Sequence, residues 1–166
     1  AYGATYRTGR CSGDLLAYKI DPQSGQRTQI EGWSARARLD ARDQAKDPRK
    51  IYFMDGTTRK PFTWSALGSS LQSNFNGTHA SSRLAQYDQM STAQKEAALG
   101  QNLVDFIRGD QSKEGFTQDQ NGRLYRTRES RLGDIIGSQP LYVGEPMRKY
   151  RDAGHSAFRL AQRGRT

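Results

Sequence analysis

Residues 133–146 constrain the fold more than any other part of the sequence. The run contains a pair of isoleucines, a Ser-Gln-Pro corner, a β-prone triplet at 141–143 and a Gly-Glu-Pro stop. A β-prone run bounded by turn residues at both ends predicts a short strand at 141–143. Because this strand lies close to the last residue, Thr166, we expect partner strands in further polypeptide. The pattern thus predicts a piece of a larger β domain.

The aliphatic content is low for a self-sufficient domain of this length. Leucine, isoleucine, valine and phenylalanine fill 26 of 166 positions, and the net charge is +9, a combination typical of disordered chains. The sequence also has 8 tyrosines, 6 phenylalanines and 2 tryptophans, which disordered segments usually lack. We therefore expect an ordered segment that buries its aromatic side chains largely against structure outside these residues.

The excess of basic residues is spread along the chain. There are 26 Lys and Arg against 17 Asp and Glu, and such an excess attracts nucleic acid, anionic lipid or acidic protein surfaces. Acidic and basic residues alternate over 36–50, which is typical of a solvated face, and only the segment from Arg148 to Arg165 is nearly unopposed. A basic nucleic-acid-binding module is the alternative function, although the sequence has no recognised reader motif.

Two β-hairpins are predicted in the first part of the chain. Residues 15–20 and 26–30 are β-prone and flank an Asp-Pro-Gln-Ser-Gly turn, in which proline presets a turn dihedral and glycine supplies a left-handed exit. Residues 51–54 and 60–64 flank a loop that contains Asp55-Gly56.

One main helix is predicted at about 92–108. Ser91 and Gln94 form a capping-box pattern at its start, and Gly109 is placed to stop it. A shorter helix is predicted over 34–45, ending before a proline. The remaining predictions are a long loop with one helical turn (68–89), a polar loop (115–122), a strand (123–128) and a closing helical turn (156–163).

No pattern in the sequence predicts an enzyme. His79 and His155 lack any surrounding catalytic signature, and no phosphate-binding glycine loop opens a helix. Cys11 is the single cysteine, so it is expected to be free or paired outside these residues, and with two distant histidines it forms no zinc site. Residues 118–122 carry only a fragment of a calcium-loop pattern and are predicted to form a polar turn with a left-handed Gly122.

No segment predicts membrane insertion. No run approaches the roughly 18 apolar residues that span a bilayer, and no apolar signal-peptide core is present. The sequence begins with Ala1 rather than methionine, so we expect that processing or truncation removed any targeting segment.

The tripeptide Arg108-Gly109-Asp110 has two interpretations. In an exposed loop it offers a guanidinium and a carboxylate to an integrin-type receptor across a flexible glycine. Alternatively, Gly109 ends the main helix and Asp110 begins the following loop. Both interpretations remain open on the sequence alone, and these three residues are the candidate binding site.

Four segments together resemble the PilY/PilC family of type IV pilus assembly proteins and tip adhesins. Residues 12–18 are similar to a Ser-Gly-acidic-Leu entry strand, and residues 33–39 to a Trp-x-Ala segment. Residues 102–110 resemble a helix that ends in Arg-Gly-Asp. Residues 125–144 are similar to the family's Arg-x-x-x-Leu-Gly-Asp-Ile-x-x-Ser-x-Pro-x-Tyr-Val-Gly signature, which is the most specific of the four.

The resemblance implies the first portion of a modified β-propeller, mainly β with helical insertions, at the start of a C-terminal domain. It implies hairpins at about 13–64, a loop and helical insertion at about 65–122, strands at about 123–145 and a basic segment at 146–166. The expected role is non-enzymatic: pilus biogenesis, surface attachment and twitching motility by a protein secreted to the outer cell surface or pilus tip of a Gram-negative bacterium. The expected partners are the rest of the propeller, minor pilins and a host receptor or surface, with no nucleic acid.

The sequence departs from the family pattern at Cys11, Gly137 and Gln139, where an aromatic, a polar and a serine residue are usual. The strand that normally follows the Arg-rich segment and the family's calcium loop are both missing from these residues. The resemblance therefore implies no cofactor in this segment, with calcium expected elsewhere in the full-length protein.

Overall fold

The computed structural model describes residues 1–7, 9, 11–77 and 84–165. The strands are β1 (Tyr2–Arg7), β2 (Ser12–Ile20), β3 (Arg27–Ser34), β4 (Tyr52–Asp55) and β5 (Thr58–Pro61). The α-helices are α1 (Ala35–Asp40), α2 (Ser69–Gln72), α3 (Thr92–Ala97), α4 (Gln101–Arg108) and α5 (His155–Ala161), and 3-10 turns occur at Trp64–Ala66, Ser73–Phe75 and Tyr87–Gln89. The fold is mixed rather than mainly β, and the described residues form neither a closed barrel nor a propeller.

The first three strands form an antiparallel sheet in the order β1-β2-β3. The predicted hairpin of β2 and β3 is confirmed, and Asp21 closes its turn by accepting hydrogen bonds from the backbone N–H groups of Gln23 (2.8 Å) and Ser24 (2.7 Å). Strand β1 was not predicted. It pairs with β2 in unbroken register, from Tyr2 opposite Ala17 onward.

The second predicted hairpin is also confirmed, since β4 and β5 pair around the Asp55-Gly56 turn. The predicted short helix begins as expected, because the Ser34 hydroxyl accepts a hydrogen bond from the N–H of Ala37 at 3.0 Å. It ends at Asp40 rather than near 45. There Asp43 caps a separate turn by accepting from the N–H of Ala45 at 2.9 Å, which competes with continuation of the helix.

The predicted main helix is two helices. The capping box at Ser91 and Gln94 is present, and Gly109 ends α4 in the left-handed conformation with φ of 112°. Between α3 and α4, Gly100 adopts φ of 62° and ψ of −131°, and its N–H donates to the Phe75 carbonyl oxygen at 2.8 Å. Because residues with a Cβ rarely adopt this conformation, the glycine turns the chain and separates α3 from α4.

The strands predicted at 123–128 and 141–143 are not formed. Within these two segments only Leu124 and Tyr125 make strand-like contacts. Their backbone N–H groups both donate to the Lys113 carbonyl oxygen, and Tyr125 forms an isolated β-bridge with Glu114. Both side chains are buried, so the β-prone residues of this segment serve as core rather than as sheet. At 141–143 no strand of the described residues pairs with the backbone.

The hydrophobic core lies among the helices and the 113–125 segment. Met90, Ala98, Leu103, Leu124 and Tyr125 form its buried cluster. The long loop predicted at 68–89 also contributes to this core, and its described residues, 68–77 and 84–89, include the helical turns at Ser69–Gln72, Ser73–Phe75 and Tyr87–Gln89. The predicted closing helical turn is confirmed as α5, although no side chain of that helix is buried.

The chain exposes far more surface than a compact monomer. Its accessible surface is 12165 Å², whereas a compact folded protein of 18.7 kDa exposes roughly 8,300 Å². Among the residues that the structure describes, fourteen large hydrophobic side chains are exposed, and eight of them lie within 136–160. The prediction that apolar groups face structure outside these residues is consistent with this surface.

Gly13 lies where the first sheet and the 133–146 segment pack tightly against each other. A Cβ at this buried position would lie 2.4 Å from the Thr5 carbonyl oxygen and 3.1 Å from the Ile135 nitrogen. Since both neighbours are backbone, we expect Gly13→Ala to destabilise the sheet by about 1–3 kcal/mol. Gly133→Ala is the matched control, because nothing lies within 4 Å of its Cβ position. Amide exchange of β1 and β2 in the full-length protein measures the difference, and equal protection in the two variants would contradict the contact.

Candidate functional site

The candidate tripeptide lies where α4 ends. Gly109 and Asp110 close the helix. The Gly109 N–H donates to the backbone carbonyl of Phe106 at 3.0 Å, and the Asp110 N–H donates to the backbone carbonyl of Asp105 at 2.9 Å. The structural interpretation of Gly109 as a helix stop is therefore confirmed. Arg108 is the last helical residue, and Gly109 itself is buried.

Three arginines from elsewhere in the chain bind the carbonyl groups at this helix end. Arg128 donates to Phe106 at 2.8 Å and to Asp110 at 2.7 Å. Arg131 donates to Gly109 at 3.1 Å, and Arg49 donates to Arg108 at 3.4 Å. Cations at a helix C-terminus are favourable, because its unpaired carbonyls carry partial negative charge. We call Arg49, Arg108, Arg128 and Arg131 the arginine junction.

The Arg108 side chain is itself part of this junction. Its guanidinium donates to the Phe62 carbonyl and, at 3.1 Å, to the Arg49 carbonyl. It therefore ties the end of the second hairpin to α4, and one N–H of each terminal nitrogen is engaged within the chain. A receptor carboxylate would have to compete with these backbone acceptors.

The strongest ion pair of the junction joins Arg128 to Glu114. The Glu114 carboxylate accepts from the Arg128 guanidinium at 2.5 Å and from the Arg128 backbone N–H at 2.8 Å. The two side chains are 13% and 7% exposed. The guanidinium also lies 3.9 Å from the centre of the Phe106 ring, an arrangement typical of a cation–π contact.

Arg131 links the junction to α1. It donates to the Asp40 carbonyl at 2.8 Å, and the Asp40 carboxylate accepts from the Arg131 N–H at 2.9 Å and from the Ser130 hydroxyl at 3.1 Å. Residues 128–131 thus connect α4 with residues about ninety positions earlier. Arg128 is the first residue of the Arg-x-x-x-Leu-Gly-Asp part of the predicted signature, so this anchor lies within the signature.

Two pKa values reflect the burial of the junction and its core. Desolvation lowers the pKa of the Arg49 guanidinium, and the neighbouring charges of Arg128 and Arg108 lower it further. Burial raises the pKa of the Tyr125 phenol above its usual range, with smaller contributions from Asp105 and Asp110. The Tyr125 hydroxyl donates to the Ala98 carbonyl at 3.0 Å. Both groups therefore have structural roles.

Within the tripeptide Asp110 is exposed, Arg108 is partly buried and Gly109 is buried. The Asp110 side chain accepts a hydrogen bond from the Ser112 N–H at 2.7 Å. Beside it lies an open cleft of about 510 Å³. The cleft is lined by Gln44, Ala45, Pro48, Asp105, Arg108, Asp110, Gln111, Ser112 and Arg131. The receptor interpretation of the tripeptide stays a prediction, in which Asp110 has the accessible group.

The other candidate residues are not assembled into a catalytic or metal site in the described ranges. His79 lies outside the described residues. A ring nitrogen of His155 lies 3.0 Å from the Arg148 carbonyl oxygen, and the centres of the His155 and Tyr150 rings are 5.0 Å apart. Cys11 is free and exposed. Among the described residues no group of three His, Cys, Asp or Glu is placed to bind a metal ion.

The residues of the calcium-loop fragment have a different use. The buried Gln94 amide donates to the carbonyls of Thr117 (2.8 Å), Gln120 (3.1 Å) and Arg123 (3.3 Å). These hydrogen bonds therefore hold the polar turn against the first turn of α3. Gly122 is not left-handed, so that part of the prediction is wrong, because backbone contacts to Gln94 shape the turn instead.

A second surface feature lies on the first sheet. Residues 140–143 lie beside Tyr2, Leu15 and Trp33 around an open apolar cleft of about 310 Å³. The Tyr2 ring packs against the Trp33 ring, with 5.3 Å between the ring centres, and stacks with the Tyr142 ring, with 6.2 Å between the ring centres. The sequence pattern marks the 133–146 run but does not indicate the face of the sheet that it covers. In the described part of the chain, no helix is both long and apolar enough to span a bilayer.

The chain is similar to one segment of several curated proteins. A protein named Type IV pilus biogenesis factor PilY1 from Pseudomonas aeruginosa strain UCBPP-PA14 is 39% identical over 137 residues, which cover 80% of this chain and 10% of that protein. Its counterpart in strain PAK is 36% identical over 136 residues, covering 81% and 10%. A Type IV pilus biogenesis factor PilY1 homolog from Xylella fastidiosa strain Temecula1 is 33% identical over 145 residues, covering 87% and 9%.

The matches cover most of this chain but only a small part of each relative. The chain spans about a tenth of the length of the curated relatives it matches. No protein-family model matches the chain, and no solved structure gives a significant match.

Proposed function

Since this chain belongs, as one segment, to the PilY/PilC family of type IV pilus biogenesis proteins, we propose that it supports type IV pilus biogenesis as part of a larger β domain. The observation that carries the proposal is 39% identity over 80% of the chain to a relative named for that role. The segment contributes structure rather than catalysis, because its buried polar residues bind one another and the backbone.

The larger domain is a modified β-propeller, of which these residues form the first portion. A propeller blade is a small antiparallel sheet covered by its neighbours, so a single portion should expose apolar side chains. The three-stranded sheet has an apolar face at Tyr2, Leu15 and Trp33, and the chain exposes 12165 Å². Both features support the proposal.

The full-length protein acts at the outer cell surface or pilus tip, where it contacts minor pilins and contributes to surface attachment and twitching motility. The placement of polar turns around the helical core, at 43–47 and 117–122, supports a rim that loops can use for recognition. Any calcium site of the full-length protein is proposed to lie elsewhere in the longer chain, since residues 118–122 carry only a fragment of a calcium-loop pattern.

The alternative of a nucleic-acid-binding module gains no support. The junction arginines donate to carbonyls and carboxylates of the chain itself, so they do not form a free stripe that follows phosphates. None of the relatives is named for nucleic-acid binding.

Loss of the segment's fold tests the biogenesis proposal. In a piliated bacterium that expresses the full-length protein, Arg128→Ala is expected to reduce surface pili toward the level of a strain lacking the gene. Lys46→Ala is the control, since its contact with Asp43 is exposed. Pili are counted by shearing and electron microscopy, with protein abundance measured in parallel. Normal piliation after deletion of the whole segment would contradict the proposal.

Receptor contact through Arg108-Gly109-Asp110 is a separate proposal, carried by the exposed Asp110 carboxylate. Asp110→Glu keeps the charge and moves the carboxylate outward by one methylene, so attachment to host cells should fall to the level without the protein. Stability should change by no more than about 0.5 kcal/mol, because the residue is on the surface. Asp119→Glu, in another exposed turn, is the control. Unchanged attachment in the Asp110 variant rejects the receptor contact.

A further inference from the structure

Strand β1 lies at an edge of the three-stranded sheet, and its hydrogen bonds fix which backbone groups face outward. The Ala1 amino group donates to the Tyr18 carbonyl, and the Tyr18 N–H donates to the Ala1 carbonyl, both at 2.7 Å. Bonded and non-bonded pairs alternate along antiparallel strands, so the next residues of β1 bonded to β2 are Gly3 and Thr5. The residues whose N–H and C=O groups point away from β2 are Tyr2, Ala4 and Tyr6.

These outward groups form an unpaired ladder. In the described part of the chain no backbone or side-chain group is hydrogen-bonded to them. Tyr2 and Tyr6 are 41% and 60% exposed, so the edge is flanked by aromatic side chains rather than by charge. A row of free N–H and C=O groups at this spacing is a template for another strand.

The edge lacks the features that normally protect exposed strands. Proteins protect their edges with lysine, proline, bulges or very short strands. Strand β1 is six residues long, contains neither lysine nor proline, and pairs with β2 without a bulge. Its single charged residue, Arg7, is at the end and pairs with Glu129.

The opposite edge of the same sheet is protected. Strand β3 has a register shift in its pairing with β2, and Gly32 in that region adopts φ of 70°. It also carries Arg27 and Glu31, and α1 follows it directly. The contrast identifies β1 as the edge that is built to be paired.

We propose that β1 is paired, in the full-length protein, by an extended strand of the same polypeptide from outside residues 1–166. The curated relatives are about ten times as long as the matched segment, so the family has chain available for this role. The strand should carry apolar residues at alternate positions, because one side of it continues the face that contains Tyr2, Ala4 and Tyr6. The inference rests on the proposed larger β domain and adds the edge and residues where that domain joins.

The 141–143 segment does not fill this role. Tyr142 stacks on the Tyr2 ring and the adjacent residues line the apolar cleft with Leu15 and Trp33, which places the segment against the face of the sheet. The edge itself stays open.

Amide hydrogen exchange in the purified full-length protein tests the pairing. Gly3 and Thr5 should be protected by β2, and Ala4 and Tyr6 should be protected as well, exchanging at least about 100-fold more slowly than unpaired amides. Fast exchange at Ala4 and Tyr6 beside slow exchange at Gly3 and Thr5 overturns the proposal. Protection that appears only after purified pilins are added also overturns it, because the strand would then come from a partner.

A proline variant identifies the edge directly. Ala4→Pro removes an outward N–H and is compatible with an edge strand, so Thr5 should stay protected while Tyr6 exchanges about tenfold faster than in the native protein. Ala4→Ser keeps the N–H and is the matched control. Identical exchange at Tyr6 in the two variants overturns the proposal. Pilus counts are read separately, so normal exchange with lost pili, or the reverse, distinguishes this inference from the proposed function.

Discussion

Arg128→Ala is expected to lower the free energy of unfolding of the helical core by about 3–5 kcal/mol, because it leaves a buried carboxylate without its partner. Glu114 is 7% exposed and accepts two hydrogen bonds from Arg128. The same guanidinium binds the Phe106 and Asp110 carbonyls, so the variant also uncaps the end of α4.

The measurement is the exchange rate of the Val104 amide in the full-length protein, since Val104 is fully buried within α4. Arg128→Lys separates charge from geometry: lysine keeps the charge but loses the planar fork, so an intermediate loss is expected. Lys46→Ala removes an exposed ion pair and should change little. If Arg128→Ala behaves like Lys46→Ala, the junction does not stabilise the fold.

Gln94→Glu is the second large effect. The side chain is fully buried, and its amide nitrogen donates to three carbonyl oxygens while its oxygen accepts the Ser91 N–H. The nearly isosteric glutamate replaces that donor by an anionic oxygen that faces the same carbonyls. We expect a loss of at least about 3 kcal/mol, since a buried charge without a partner is costly.

Acid titration gives this prediction a specific signature. Burial without a partner raises the pKa of such a glutamate above its ordinary value. A protonated glutamate regains an O–H donor, so the variant should approach the native protein in stability as the pH falls from neutral toward the ordinary pKa of glutamate. Gln101→Glu makes the same chemical change at the exposed first residue of α4, where a negative charge is favourable, and should not destabilise. Exchange of the Leu124 amide is the readout. Equal stability of the two variants at neutral pH contradicts the role assigned to Gln94.

The local signals in the sequence predicted local structure well. Ser34, Ser91 and Gly109 cap helices as expected, and both hairpins form around their turn residues. Each of these depends on a few neighbouring residues, whose conformational preferences act within one turn. Gly100 is the local signal that was missed: its position inside a helical pattern was compatible with a tolerated glycine, and only its left-handed dihedral reveals the break.

The non-local features could not be predicted from patterns. The strand prediction at 141–143 failed because a strand needs a partner, and none of the described residues provides one. The Arg128–Glu114 pair joins positions without any helical or strand spacing, and the three-carbonyl contact of Gln94 depends on how the 117–123 turn folds back. For the candidate tripeptide, the helix stop was predictable, whereas the use of the Arg108 guanidinium within the chain was not.

Calorimetry of the isolated 166-residue chain tests the central claim that its sheet is completed by further polypeptide. A self-sufficient domain of this length would unfold in one cooperative transition with an enthalpy of roughly 116 kcal/mol near 60 °C. We predict a broad transition with well under half of that enthalpy, from the helical core alone. A single sharp transition of the full enthalpy, from a monomer with no other chain present, would contradict the claim.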